Sequence, residues 1–145
     1  MPGVLVFGDV VHGELTPVSL EVAAAGRQIA DALGEPALGA LIGTDLQAAS
    51  HAFCAVGFSR LLVADAPQFT PYRADPYVAA GEAIVRACGP SVALFPHDLK
   101  TREWVARLAF RLDTGLVTDC VGVRVYRTYG FRHRNYSERI DGAAS

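Results

Sequence analysis

The chain has 145 residues, of which 51% are hydrophobic and 19% are charged, and its formal net charge at pH 7 is −2. This length and composition predict one folded domain with a single core. No apolar run approaches the roughly 18 residues of a membrane-spanning helix, and the N-terminus lacks the basic lead and cleavage site of a signal peptide, so we expect a cytoplasmic protein without a membrane partner.

Short apolar runs alternate with amphipathic segments along the chain. The predicted strands cover residues 4–7, 37–42, 60–64, 91–95 and 115–117, and the predicted helices begin near Thr16, Asp45, Asp75 and Thr101. This alternation is typical of a parallel sheet, and a continuously apolar first strand is typical of one covered on both faces. The sequence therefore predicts an α/β fold with a doubly wound, five-stranded parallel sheet and helices on both faces.

Helix ends and helix faces are also predicted from the pattern. Thr16 and Asp75 each precede a first-turn proline, which predicts two N-caps, and Glu103 is spaced to pair with Arg107 on a surface. Residues expected on buried faces are Val18, Val22, Ala25, Ile29 and Leu33 in the first helix, Leu46, Ala49, Phe53 and Val56 in the second, and Tyr77, Gly81, Ile84 and Cys88 in the third.

The three cysteines give no sign of metal or redox chemistry. Cys54, Cys88 and Cys120 are far apart, without a Cys-x-x-Cys motif or paired histidines near them. We therefore predict buried reduced thiols and no metal site.

A doubly wound sheet binds ligands at the carboxyl ends of its strands, where the strand order reverses. The residues expected at that edge are Gly8, Asp9, Gly43, Thr44, Asp65, His97, Asp98, Thr118 and Asp119. His97 and Asp98 resemble a base with its orienting carboxylate, but no serine or cysteine nucleophile follows a matching strand. The sequence therefore predicts no catalytic site.

A weak anion or nucleotide cleft is the other possibility at this edge. Lys100 and Arg102 flank the predicted helix start at Thr101, and a helix N-terminus with neighbouring cations attracts anions. The candidate cleft residues are Gly8, Thr44, His97, Thr101, Arg102 and Asp119. Because the chain has neither a Gly-x-Gly-x-x-Gly fingerprint nor a P-loop, ordinary helix-end and surface charges remain the competing interpretation.

The end of the chain differs in charge from the rest. Residues 1–123 hold 8 basic and 13 acidic side chains, whereas residues 124–145 hold 5 basic and 2 acidic ones with several aromatics between them. Such a mixture can bind nucleic acid, but no basic face elsewhere extends it. We therefore predict a domain over 1–123 and a basic, aromatic tail over 124–145, with an extra strand and then a weakly ordered end.

Three motifs, in the correct order, resemble the amino-terminal domain of the electron transfer flavoprotein alpha subunit. The first follows G-x-L-x-P-x-x-x-E at Gly13, Leu15, Pro17 and Glu21, and the second follows V-A-D then P-Y at Val63, Ala64, Asp65, Pro71 and Tyr72. The third, TREWVARLAFRLDTGLVTDC, is similar to G-R-D-x-x-x-R-L-A-x-R-L-x-T-G-L-x-x-D-C, with Thr101 and Glu103 in place of the usual Gly and Asp. The resemblance covers roughly residues 3–123.

This resemblance implies an adenine-nucleotide-binding-like (Rossmann-like) domain that packs against a beta-type subunit. In the family, FAD is held by a separate domain that follows this segment, and the 25 residues after Cys120 are too few to form such a domain. We therefore expect a shortened or free-standing scaffold with no cofactor of its own, which is not an enzyme. Its expected partner is a beta-type subunit or a second copy of the chain covering an open sheet edge. The alternative is a free-standing adenine-nucleotide-binding module resembling the universal stress proteins.

Overall fold

A computed structural model of the chain describes residues 2–116, together with the backbone of residues 120–129 and 136–144. The strands are β1 (Val4–Phe7), β2 (Val10–Val11), β3 (Glu14–Leu15), β4 (Ala37–Gly43), β5 (Arg60–Asp65), β6 (Val92–Leu94), β7 (Cys120–Tyr129) and β8 (Tyr136–Ala144). The helices are α1 (Pro17–Leu33), α2 (Gln47–Cys54), α3 (Ala74–Cys88) and α4 (Leu99–Arg111), with a short 3-10 turn at Pro67–Phe69. Within these residues, no helix is long and apolar enough to cross a membrane.

Four parallel strands form the central sheet in the order β5-β4-β1-β6. The prediction of an α/β fold with a doubly wound parallel sheet is confirmed. The predicted fifth strand is not seen as expected, since Gly115 and Leu116 lie outside any strand and Val117 lies outside the described residues. A three-residue apolar run carries too little pattern to specify a strand.

Two further sheets, each of two antiparallel strands, accompany the central one. β2 and β3 form a short hairpin after β1, and β7 pairs with β8. β7 crosses residue 123, so the predicted division of the chain at that position stays a prediction.

Helices cover both faces of the sheet. Leu5 and Phe7 of β1 pack with α3 and α4 in one apolar cluster, while Val4 and Val6 of the same strand belong to the clusters formed with α1 and α2. The Phe7 ring stacks on Phe95 with centroids 4.5 Å apart. Because β1 is buried on both sides, each of its large side chains contributes about 1.5–3 kcal/mol through burial, and the strand is continuously apolar.

Helix α1 packs closely against β1 at Gly26. Its buried residues are Ser19, Ala23, Gly26, Ile29 and Ala30. Of the predicted stripe, only Ile29 is buried, whereas Val18, Val22, Ala25 and Leu33 are half-buried. Val22 and Leu33 still pack against the core, so the centre of the buried face is shifted from the predicted one. Small side chains line the contact because the backbone of α1 approaches the strand, and a methyl group at Gly26 would overlap Val6.

The other two predicted faces are confirmed apart from their last residues. Leu46, Ala49 and Phe53 are buried, as are Tyr77, Gly81 and Ile84, whereas Val56 and Cys88 are half-buried. The prediction of buried thiols was wrong for Cys54, which is exposed, and the side chain of Cys120 lies outside the described residues.

Several helix ends differ from their predictions. Thr16 holds the N-cap position of α1, but its hydroxyl lies 2.7 Å from Ser19 Oγ and makes no cap to the backbone. Helix α3 starts at Ala74, so Asp75 lies inside its first turn and pairs with Arg107 at 3.0 Å. Asp65 replaces a local cap at α2 by accepting hydrogen bonds from Asp45 N and Leu46 N, both at 3.0 Å.

The close approach of α1 predicts a large effect of one methyl group. Gly26→Ala should lower the free energy of unfolding by about 1–2 kcal/mol, because overpacking against Val6 outweighs the gain of about 1 kcal/mol in helix propensity. Urea denaturation measures the change. Gly115→Ala is the control, since a methyl group there meets no atom within 4 Å, and equal stabilities of the two variants would contradict the close packing.

Candidate functional site: the crevice between β1 and β6

The strand order reverses between β1 and β6. From β1 the chain continues outward through β4 and β5 on one side, and it then returns to place β6 on the other side of β1. The crevice outside the carboxyl ends of these two strands is the usual ligand position in such sheets. It brings together Gly8 and Asp9, which follow β1, with His97 and Asp98, which follow β6.

An ion pair fills this crevice. The Lys100 ammonium lies 2.7 Å from Asp9 Oδ1, and the exposed fractions of the two side chains are 27% and 11%. What remains open is a cavity of about 10 Å³, enough for one water molecule. Its walls include Phe7, Tyr77 and Trp104, so the crevice is apolar apart from the pair and Thr101.

Two tyrosines surround the ammonium group. Lys100 Nζ lies 5.8 Å from the centroid of the Tyr72 ring and 5.4 Å from that of Tyr77. These distances are within the range of cation–π attraction. The Tyr72 hydroxyl also donates a hydrogen bond to the backbone carbonyl of Lys100 at 3.2 Å, which ties the loop before α3 to the first turn of α4.

Asp9 is held in place from helix α1. Ser19, whose side chain is fully buried, accepts a hydrogen bond from Asp9 N at 2.7 Å and lies 3.2 Å from Asp9 O as a donor. Thr16 N donates to the same carbonyl at 3.0 Å. The loop after β1 is thus fixed to the start of α1, and the Asp9 carboxylate is directed by backbone bonds rather than by the ion pair alone.

Asp98 caps the helix that carries Lys100. Its carboxylate accepts hydrogen bonds from Thr101 N at 2.7 Å and from Thr101 Oγ1 at 3.0 Å. Helix α4 therefore begins at Leu99, two residues before the predicted start at Thr101. A carboxylate of the chain itself occupies the position that was expected to attract an anion.

The remaining cleft candidates lie in different places. Thr44 is on the β4 and β5 side, where its hydroxyl donates to Ala66 O at 2.7 Å and accepts from Thr70 at 2.9 Å. Arg102 and His97 are exposed near the crevice, and Asp119 lies outside the described residues. The anion or nucleotide cleft stays a prediction, and the closed crevice lends no support to the alternative of a free-standing nucleotide module.

The surroundings raise the pKa values of both Asp9 and Lys100. Burial raises the pKa of the Asp9 carboxyl, with Asp98 adding to the rise and Lys100 opposing it. For Lys100, burial works against the charged form, but the hydrogen bond and the charge of Asp9 outweigh it and raise the pKa of the amine. Lys100 is therefore protonated at neutral pH.

The sequence pointed to this edge but not to its main interaction. Asp9, Asp98 and Thr101 were expected there, whereas the association of Lys100 with Tyr72 and Tyr77 was missed. One signal was available, because Lys100 is the only lysine among the 13 basic residues of the chain. Within the described residues, no group of three or more His, Cys, Asp or Glu side chains is placed to hold a metal ion.

Loss of the Asp9 charge should destabilise the domain. Asp9→Asn should lower the free energy of unfolding by about 1–3 kcal/mol, because the half-buried ammonium of Lys100 loses its partner. Asp75→Asn is the matched control, since the side chains of the Asp75–Arg107 pair are 91% and 57% exposed and such pairs contribute about 0–1 kcal/mol. Urea denaturation of both variants tests the difference, and an equal loss in the two would show that the crevice pair has no special role.

Stability should fall steeply at alkaline pH. Burial, with the Glu103 carboxylate nearby, raises the pKa of Tyr72 to about 12, and burial raises that of Tyr77. The unfolded chain loses these protons first, near the ordinary tyrosine pKa of about 10, so the free energy of unfolding declines as the pH rises from about 10 to 12.

Tyr72→Phe should make this decline in the free energy of unfolding smaller, because phenylalanine has no proton to lose. The part of the decline that is due to Tyr77 and Lys100 should remain. Denaturation curves from about pH 8 to 12 measure the slope for the parent and the variant. Parallel curves would show that Tyr72 titrates normally in the folded chain.

Comparisons with known proteins agree with this fold and with the sequence motifs. The family model "Electron transfer flavoprotein domain" matches residues 4–141. The electron transfer flavoprotein subunit alpha of Bacillus subtilis (strain 168) is 34% identical over 122 residues, which are 84% of this chain and 37% of that protein. Protein FixB of Rhizobium meliloti (strain 1021) is 32% identical over 127 residues, which are 84% of this chain and 36% of that protein.

A third relative carries a different name. The lactate dehydrogenase (NAD(+),ferredoxin) subunit LctC of Acetobacterium woodii is 28% identical over 118 residues, or 81% of this chain and 28% of that protein. The chain thus spans roughly a third of the length of these relatives and matches their N-terminal part. It belongs to the electron transfer flavoprotein domain family, as a chain of the alpha-subunit type.

Proposed function

We propose that this chain serves electron transfer as a scaffold of the alpha-subunit type that docks on a beta-type subunit and does not itself act as a catalyst. The observation that carries the proposal is the family match over residues 4–141 together with relatives named as alpha subunits and FixB. The order of the three sequence motifs supports the same role.

The crevice is consistent with a scaffold rather than a cofactor-binding domain. The described residues do not fit a flavin or a nucleotide at the usual position, because the Asp9–Lys100 pair leaves a cavity of only about 10 Å³. The electron-transfer role therefore depends on a flavin held outside these residues, as the resemblance to the family implies. No step of electron transfer is assigned to the side chains described here.

One surface has the character of a docking site. Leu99 and Phe110, on helix α4, are 86% and 88% exposed, the highest values among the exposed large apolar side chains of the described residues. They are eleven positions apart, about three helical turns, and so share one face of α4. Exposed Arg102 and Glu103 lie beside this face, and Arg111 is already paired with Glu82 at 3.5 Å. The face is therefore apolar with charges of both signs at its border, and a partner with apolar side chains would cover it.

Co-expression with a beta-type subunit from the same source tests the proposal. The tagged chain should co-purify with the subunit in a fixed stoichiometry, and Phe110→Glu should reduce the recovered subunit at least about tenfold, because a charge would be buried in the interface. Leu20→Glu is the control, since Leu20 is 49% exposed on α1 and lies away from the proposed surface.

Failure of the parent chain to retain the subunit, while circular dichroism shows it folded, would overturn the proposal. Light scattering of the chain alone measures its oligomeric state and so distinguishes docking on the subunit from self-association. A stable dimer that the subunit does not dissociate would favour self-association, in which another copy covers the edge of the sheet at β6.

A further inference from the structure

Arginine far outnumbers lysine in this chain. Twelve of the 13 are arginines, and the single lysine, Lys100, is the one whose charge lies in the crevice. An ammonium is a compact charge on a flexible stem, whereas a guanidinium is a wide planar group. The residue type at this position therefore matches the small space between Asp9 and the two tyrosine rings.

One carboxylate and two aromatic rings surround the ammonium group and form an aromatic cage. A carboxylate oxygen lies at 2.7 Å, and two aromatic rings lie at 5.4 and 5.8 Å from the nitrogen. The rings of Tyr72 and Tyr77 meet edge to face, with centroids 5.1 Å apart and planes inclined by 75°. A carboxylate with aromatic faces is the chemistry by which proteins bind ammonium ligands.

The cage is built by contacts that do not involve the Lys100 side chain. Tyr77 is 7% exposed and packs on Phe69 at 5.4 Å and on Trp104 at 5.8 Å. Tyr72 packs on Tyr77, and its hydroxyl bonds to the backbone carbonyl of residue 100, which a side-chain substitution leaves in place. Backbone bonds from α1 hold the Asp9 loop.

We propose that Asp9, Tyr72 and Tyr77 form a receptor site for a primary ammonium group, and that Lys100 occupies it as an internal ligand and so closes the crevice between β1 and β6. This site is independent of the electron-transfer role proposed above. A small alkylammonium ion should bind in it when the lysine side chain is removed. The ligand class follows from the site, since an anion would meet the Asp9 carboxylate.

Lys100→Ala with n-propylammonium chloride is the direct test, because alanine lacks the three methylene groups and the amine that this ion supplies. The Tm of the variant should rise by about 2–5 °C as the ion is raised well above its Kd. Fluorescence of Trp104, the only tryptophan of the chain and a wall of the cavity, should change along the same saturation curve.

Four controls make the result specific. Sodium chloride at equal ionic strength and 1-propanol at equal concentration should give no saturable rise in Tm. The parent chain, whose site is filled, should not respond to propylammonium. The double variant Asp9→Asn, Lys100→Ala should lose the response, and a response that persists there, or its absence in Lys100→Ala, would overturn the assignment.

A second measurement uses the parent chain and so does not depend on the folding of a variant. Reductive methylation of the single lysine, followed by mass spectrometry, should proceed at least about tenfold more slowly in the native protein than in urea, because the amine reacts only after the crevice opens. Tyr72→Ala should speed the native reaction, and equal native and unfolded rates in the parent would show an open, unoccupied cage.

Discussion

The ion pair between Asp9 and Lys100 joins the two halves of this domain at the point where the strand order reverses. Asp9 belongs to the loop that links β1 to α1, and Lys100 to the first turn of α4 beyond β6. A half-buried charge pair is costly to form and more costly to break. It therefore holds the loop after β1 against the first turn of α4. Ser19 fixes the Asp9 loop to α1, and Asp98 fixes the turn that carries Lys100 to α4. The ion pair therefore links helices that lie on opposite faces of the sheet.

The Asp9–Lys100 pair fills the position at which folds of this kind usually bind a ligand. Doubly wound sheets usually bind a ligand at the reversal point, yet here side chains of the chain itself occupy that position. The same helix that supplies Lys100 turns Leu99 and Phe110 to the surface. A domain closed at its crevice and apolar on an outer helix is suited to the docking role proposed above.

Local patterns and tertiary contacts account for different parts of the structure. The runs at β1 and β4 are recognisable because apolar strands buried on both faces leave few alternatives, and the buried face of α3 follows from its helical period. The centre of the α1 face was misplaced because the contact is lined by Ser19, Ala23 and Gly26, whose small size matters only once the distance to β1 is known. The contact at the start of α2 was missed because Asp65, which accepts from Asp45 N and Leu46 N, lies about 20 residues later in the chain, on β5.

The sequence by itself determined the class of fold, the order of the four central strands and four helices, and the family, since apolar periodicity and motif order are local properties of the chain. It also indicated the sheet edge that holds Asp9, Asp98 and Thr101. Only the tertiary structure decided what that edge contains. The pairing of Lys100 with Asp9 between Tyr72 and Tyr77 joins residues far apart in the chain, and it exists because the return of the chain from β5 to β6 brings α4 beside the end of β1.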